Sequence, residues 1–186
     1  YILNGNLYEV PLDRNALRQI IKDGDYCSLE YVVTTFITDM SWLFYNERRF
    51  IGNISSWDTR NVITMESMFE NAVNFNGNIR HWNTMNVISM KRMFYKAKKF
   101  NANINDWDVS SVWNFREMFR DAEKFNKELS NWNIINAVNL TGMFNGALSF
   151  NSKLFIGASV ANVQSFHEMF LGARVFNQDI SDWNVS

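Results

Sequence analysis

Apolar residues recur along this chain at a fixed step of 25 positions. The step is marked by Phe50, Phe75, Phe100, Phe125, Phe150 and Phe176, with a one-residue slip before the last. Counting from that Phe as position 0, position 4 holds Ile54, Ile79, Ile104, Leu129, Leu154 and Ile180, and position 7 holds Trp57, Trp82, Trp107, Trp132 and Trp183. Position 12 is Val62, Val87, Val112 and Ala137, and position 15 is Met65, Met90, Phe115 and Leu140. A Met, Phe and Ala then stand at 18, 19 and 22, from Met68, Phe69 and Ala72 through to Met169, Phe170 and Ala173. A period of this length marks an array in which each unit packs on its neighbours.

Two patterns share each repeat. Positions 12, 15, 18, 19 and 22 have the spacing of one amphipathic helix face. Position 11 carries Asn61, Asn86, Ser111, Asn136 and Asn162, residue types that cap helix N-termini. Helices are therefore predicted at about 62–72, 87–97, 112–122, 137–147 and 163–173. A short parallel strand is predicted around positions 4–9, where position 9 is mostly β-branched. Asn follows the Phe in five of six repeats, which predicts a ladder of side chains bonded to the backbone of the adjacent repeat. The Asp or Asn at position 8 (Asp58, Asn83, Asp108, Asn133, Asn184) reads as a turn-closing side chain, with too few carboxylates for calcium.

Residues 1–36 break the pattern and are expected to form an N-terminal cap, with a helix over 14–23 entered at Asp13 and buried through Leu17, Ile20 and Ile21. Residues 37–186 are expected to form the array, opening with a degenerate repeat (Ile37, Met40, Leu43, Phe44). The array stops at Ser186 in mid-repeat without a polar cap. That predicts further chain or an end that pairs, including self-association.

Composition narrows the function. Five of the seven tryptophans and eight of the nine methionines fall in core columns, so neither residue type marks a ligand box. The net charge of −1 with mixed signs gives no pull toward nucleic acid. No apolar run is long enough to span a membrane. The lone Cys27 excludes an internal disulfide and is expected to be buried or half-buried. His81 and His167 lack fixed-spacing partners, so no catalytic residue, metal site or cofactor is expected.

The string Phe-Asn-x-x-Ile-x-x-Trp-Asp-x-x-x-Val-x-x-Met-x-x-Met-Phe-x-x-Ala resembles the 25-residue repeat of BspA-like leucine-rich-repeat surface proteins, the mycoplasma-lipoprotein type. Residues 75–97 and 100–122 match it almost column by column. The resemblance implies an α/β solenoid: a leucine-rich-repeat-like right-handed coil of about six turns, each an extended segment plus one short helix. It also implies a bacterial cell-surface or secreted location and adhesion-type binding of a protein or glycan partner on a host or bacterial surface, without catalysis. The repeat opened by Phe150 departs from it, with Gly157 and Ala158 where Trp is expected and one extra residue.

Two surfaces are candidates for binding. On the predicted helix face, positions 13 and 20 would gather Ile88, Tyr95, Trp113 and Arg120, a composition typical of binding hot spots. At positions 5 and 6, Arg80, His81, Asn105 and Asp106 form a non-repeating polar strip of the kind a concave recognition surface carries. The basic run Lys91, Arg92, Lys96, Lys98, Lys99 lies between acidic neighbours and reads as ion pairing between repeats. The rival to a binding module is a structural scaffold associating end to end through its last repeat.

Overall fold

The computed structural model describes residues 2–3, 6–7 and 13–184. Strands β1 (Ile2–Leu3) and β2 (Asn6–Leu7) pair antiparallel, Ile2 opposite Leu7. Helix α1 (Arg14–Lys22) follows, capped by Asp13, whose carboxylate accepts from the N–H groups of Asn15 and Ala16. Leu17 and Ile21 sit one turn apart and are wholly buried against the first repeat, with Ile20 partly buried beside them. A short 3-10 helix, Ser28–Tyr31, buries Leu29. Cys27, immediately before it, is exposed rather than buried, because Leu29 takes the core position.

The five predicted repeat helices are absent. Residues 62–72, 87–97, 112–122, 137–147 and 163–173 form tandem tight turns instead. In the second of these, Met93 donates to the Met90 carbonyl, Tyr95 to Arg92 and Ala97 to Phe94, each an i to i+3 closure. The alternate N–H groups of Met90, Arg92, Phe94 and Lys96 donate to the carbonyls of Asn114, Arg116, Met118 and Arg120 in the next repeat, at 3.0, 2.8, 2.9 and 2.8 Å. Arg92 and Lys96 have φ of 56° and 57°, the left-handed conformation that the third residue of a type II turn requires. A chain of i to i+3 turns also sends every third or fourth side chain inward, which is why the pattern imitates a helix. The turns leave half of the N–H groups free to bond between repeats, which a helix cannot do.

The strand prediction is likewise corrected. Parallel pairing is one residue wide and runs through position 14: Asp39, Thr64, Ser89, Asn114, Asn139 and Ser165. Positions 4–9 are turn and extended chain, bridged only at Leu129 with Leu154 and at Ser159 with Asn184 among the described residues. The position-11 asparagines are not helix caps. Asn61, Asn86, Asn136 and Asn162 donate their side-chain N–H to the carbonyls of Thr35, Arg60, Ser110 and Ile135 in the preceding repeat. Their role is to satisfy backbone between rungs.

The interior is a set of aromatic columns. Phe44, Phe69, Phe94, Phe119, Phe144 and Phe170 stack in order at 5.1–5.7 Å between ring centroids. Phe50, Phe75, Phe100, Phe125, Phe150 and Phe176 stack beside them at 5.6–6.0 Å. Trp57, Trp82 and Trp107 stack at 6.2 and 6.5 Å. Each indole N–H donates to a carbonyl of the rung before: Trp82 to Ile54, Trp107 to Ile79 and Trp132 to Ile104. In the irregular repeat, Phe155 fills the missing Trp position between Trp132 and Trp183, at 6.3 and 5.8 Å, by adopting a φ of 47°. Outside, Asn101, Asn126, Asn151 and Asn177 each donate a backbone N–H to the Asn side chain one rung back, as that column's sequence predicts.

Candidate functional site

The exposed surface divides by column. Position 13 is tied rung to rung through its backbone: Ile63 donates to Thr38, Ile88 to Ile63, Trp113 to Ile88 and Val138 to Trp113, at 2.7–3.0 Å. With the backbone pinned, these side chains line up outside the core; Ile63, Ile88 and Trp113 are 44–46% exposed. Phe36 (76%), Met85 (52%) and Ile135 (46%), from positions 10 and 11, widen the row into an apolar ridge. Over four rung steps the ridge runs roughly 19 Å. A shallow groove lined by Thr35, Phe36, Thr38, Asn61, Ile63 and Asn86 opens at its N-terminal end. Sequence reasoning found Ile88 and Trp113 but missed Phe36, Met85 and Ile135. The available signal was that Met85 is the one methionine outside the core columns.

Tyr95 and Arg120 do not join this ridge. Without a helix, positions 13 and 20 share no face, and both residues belong to a charged ladder instead. Arg92 lies between Glu70 (3.1 Å) and Glu117 (3.4 Å) and packs its guanidinium over Tyr95 at 4.1 Å. Arg120 reaches Glu117 at 3.1 Å and, two rungs away, Glu168 at 3.6 Å. The intervening rung places Gly142 there, with φ of 60°, and a β-carbon at that point would lie 3.3 Å from Glu117 Cγ and 3.8 Å from Arg120 Nη1. The ladder of alternating charge fixes rungs in register and leaves little net charge for a ligand. Lys98 pairs similarly with Glu123 at 2.8 Å.

The polar strip is brought together beside the Trp column. Arg80 and Asp106 form an exposed ion pair at 2.6 Å. Asn105 donates to the Ser130 hydroxyl at 3.4 Å and accepts from the Asn131 N–H at 3.1 Å. His81 is exposed beside them. The strip's charges and amides are thus engaged with one another. Position 8 closes Asx turns: Asp58, Asn83, Asp108 and Asn133 accept from the N–H two residues on. Burial pushes the Asp58 carboxyl up, but hydrogen bonds from Arg60 and Thr35 outweigh it and hold the pKa below the ordinary aspartate value. His167 is exposed, with the Glu168 carboxylate 3.5 Å from its Nε2. Among the described residues, no three His, Cys, Asp or Glu side chains cluster as metal ligands.

The family described as Mycoplasma protein of unknown function, DUF285, matches residues 24–126 and again residues 101–186. The chain belongs to this family. The two DUF285 matches share residues 101–126, so one rung fits the family pattern in either register, as a repeating unit does. No curated protein and no solved structure matches the chain. In this DUF285 chain no helix of the described residues is long and apolar enough to cross a membrane.

Proposed function

We propose that this DUF285 chain is a non-enzymatic binding module that engages a protein partner through the ridge of Phe36, Ile63, Met85, Ile88, Trp113 and Ile135. The observation that carries this reading is the ridge itself. Large apolar side chains line up in register on the outside of a stack whose interior is already full of Phe, Trp and Met. Extended exposed apolar patches are unusual on a free monomer and typical of contact surfaces. Exposed aromatic and aliphatic anchors on a pinned backbone contribute contact area at little ordering cost. A glycan would favour the polar strip, where Arg80 and Asp106 already neutralise each other. On this reading the array is a leucine-rich-repeat-like solenoid of the BspA-like surface type, exposed at a bacterial surface or secreted, and its partners lie there.

The test compares capture of partners from host-surface and own-cell extracts by the natural chain, by Ile88→Asp/Trp113→Ala, and by Arg80→Ala. Loss of a specific captured protein with the ridge variant, and retention with Arg80→Ala, supports the reading. Equal capture by all three, or loss with Arg80→Ala alone, overturns it. Trp113 is already 44% exposed, so its truncation is expected to cost about 1 kcal/mol of stability, leaving the fold intact.

A further inference from the structure

The two ends of the stack differ in chemistry. In every interior rung the N–H groups at positions 15, 17, 19 and 21 are donated to the next rung's carbonyls, as Leu140, Gly142, Phe144 and Gly146 donate to Ser165, His167, Met169 and Leu171. In the last rung the same positions are Phe166, Glu168, Phe170 and Gly172, and their N–H groups have no acceptor among the described residues. Beside this row of donors the core columns lie open: Phe166 is 38% exposed and Ile180 36%, where their interior counterparts Phe115, Leu140, Ile79 and Ile104 are at 0%. With Met169, Phe170 and Trp183 they line an apolar groove of about 570 Å³. Among the described residues the Trp183 indole N–H is buried without an acceptor, unlike Trp57, Trp82, Trp107 and Trp132.

The opposite end is an acceptor edge, and side chains of α1 hold two of its four carbonyls. The carbonyls at positions 16 and 20, which in later rungs accept from the rung before, belong there to Ser41 and Tyr45. Ser41 accepts from the Arg14 guanidinium, through Nε at 2.7 Å and through Nη2. Tyr45 accepts from Arg18 Nη2 at 3.0 Å. Two guanidinium groups thus replace backbone donors, while Leu17 and Ile21 of α1 cover the core.

We infer that the Phe166–Trp183 face is a docking site for one further rung of this same 25-residue pattern, received through the carbonyl edge of that rung. Two facts fix the occupant. Over positions 15–21 this edge offers donors only, so an identical edge turned toward it by two-fold symmetry would set donor against donor. A second copy arriving end to end presents an edge on which Arg14 and Arg18 hold two of the four carbonyls, Ser41 and Tyr45, and α1 covers the core. What fits is an uncapped repeat, whose carbonyls at positions 14, 16, 18 and 20 meet the four free N–H groups as happens at each interior rung. The inference is independent of the ridge.

The test extends the full chain after Ser186, which stands at position 10, with a copy of residues 86–110, which begins at position 11 and so continues in register. The comparison is an extension by residues 88–112, two positions out of register. In the in-register chain, amide exchange at Phe166, Glu168, Phe170 and Gly172 is expected to slow by about a hundredfold or more, toward that of Met90, Arg92, Phe94 and Lys96. Fast exchange in both extended chains, or equal slowing in both, overturns the inference. The unextended chain supplies a second reading over a concentration series. Unchanged exchange at the four amides supports exclusion of a second copy, and concentration-dependent slowing with a rise in mass overturns it.

Discussion

Lys96 offers a substitution whose sign depends on whether its segment is turn or helix. Its backbone lies at φ 57° and its side chain is exposed, in no ion pair among the described residues, with Nζ 5.0 Å from the Tyr95 ring. Lys96→Ala and Lys96→Gly remove the same side-chain contact, so their difference isolates the backbone. A left-handed conformation costs a residue with a β-carbon about 1–2 kcal/mol, and glycine avoids that cost. Glycine in turn has about 0.4–1 kcal/mol more unfolded-chain entropy to lose than alanine. Lys96→Gly is therefore expected to be more stable than Lys96→Ala by about 0.5–1 kcal/mol. In a helix over 87–97 the order would reverse, with glycine worse by about 0.8–1 kcal/mol. The predicted and reversed outcomes differ by about 1.5–2 kcal/mol, well resolved by urea unfolding of both variants side by side. Alanine proving the more stable would refute the tandem-turn backbone.

Gly146→Ala is the complementary change: at φ 69° and with the Asp121 carboxylate where the β-carbon would go, it is expected to lower stability by about 1–3 kcal/mol in the same assay. Trp107→Phe loses an indole N–H bond to the Ile79 carbonyl and packing in a filled column. Trp183→Phe loses no hydrogen bond from a more open rung, so Trp107→Phe is expected to cost about 1 kcal/mol more by thermal or urea unfolding. Because the Asp58 carboxyl is held below its ordinary pKa, its contribution is complete above the ordinary aspartate range and lost as pH falls through the depressed value. The urea midpoint of the natural chain is therefore expected to fall more steeply on acidification than that of Asp58→Asn. Parallel acid limbs would contradict this.

The core columns were legible in the sequence because burial requires the same residue type at the same place in each rung. Phe, Trp, Met and Ala at positions 0, 7, 18 and 22 are buried across the interior rungs. The asparagine ladder was legible for a related reason, since identical rungs offer the same backbone N–H and the same side-chain acceptor at a fixed offset. Backbone conformation was not. Ser67, Arg92 and Glu117 stand at position 17 with positive φ, and none of these residue types announces a left-handed turn. Gly142 and Gly146, four apart inside a predicted helix, were the available warning, since glycine is a poor interior helix residue. The exposed apolar ridge was half legible. Ile88 and Trp113 were identified from their column, whereas joining them to Tyr95 and Arg120 depended on a helical face that the turns abolish. The Phe155 substitute for a tryptophan had no sequence signal, because it lies at position 5 of an irregular rung.

The fold is held in register by backbone hydrogen bonds that run between rungs. Scalar couplings across hydrogen bonds, measured by NMR on the deuterated chain, test this directly. The structure predicts couplings from the amide nitrogens of Met90, Arg92, Phe94 and Lys96 to the carbonyl carbons of Asn114, Arg116, Met118 and Arg120, each 24 residues ahead. Couplings within 87–97 that join each amide to the carbonyl four residues before it would contradict the account.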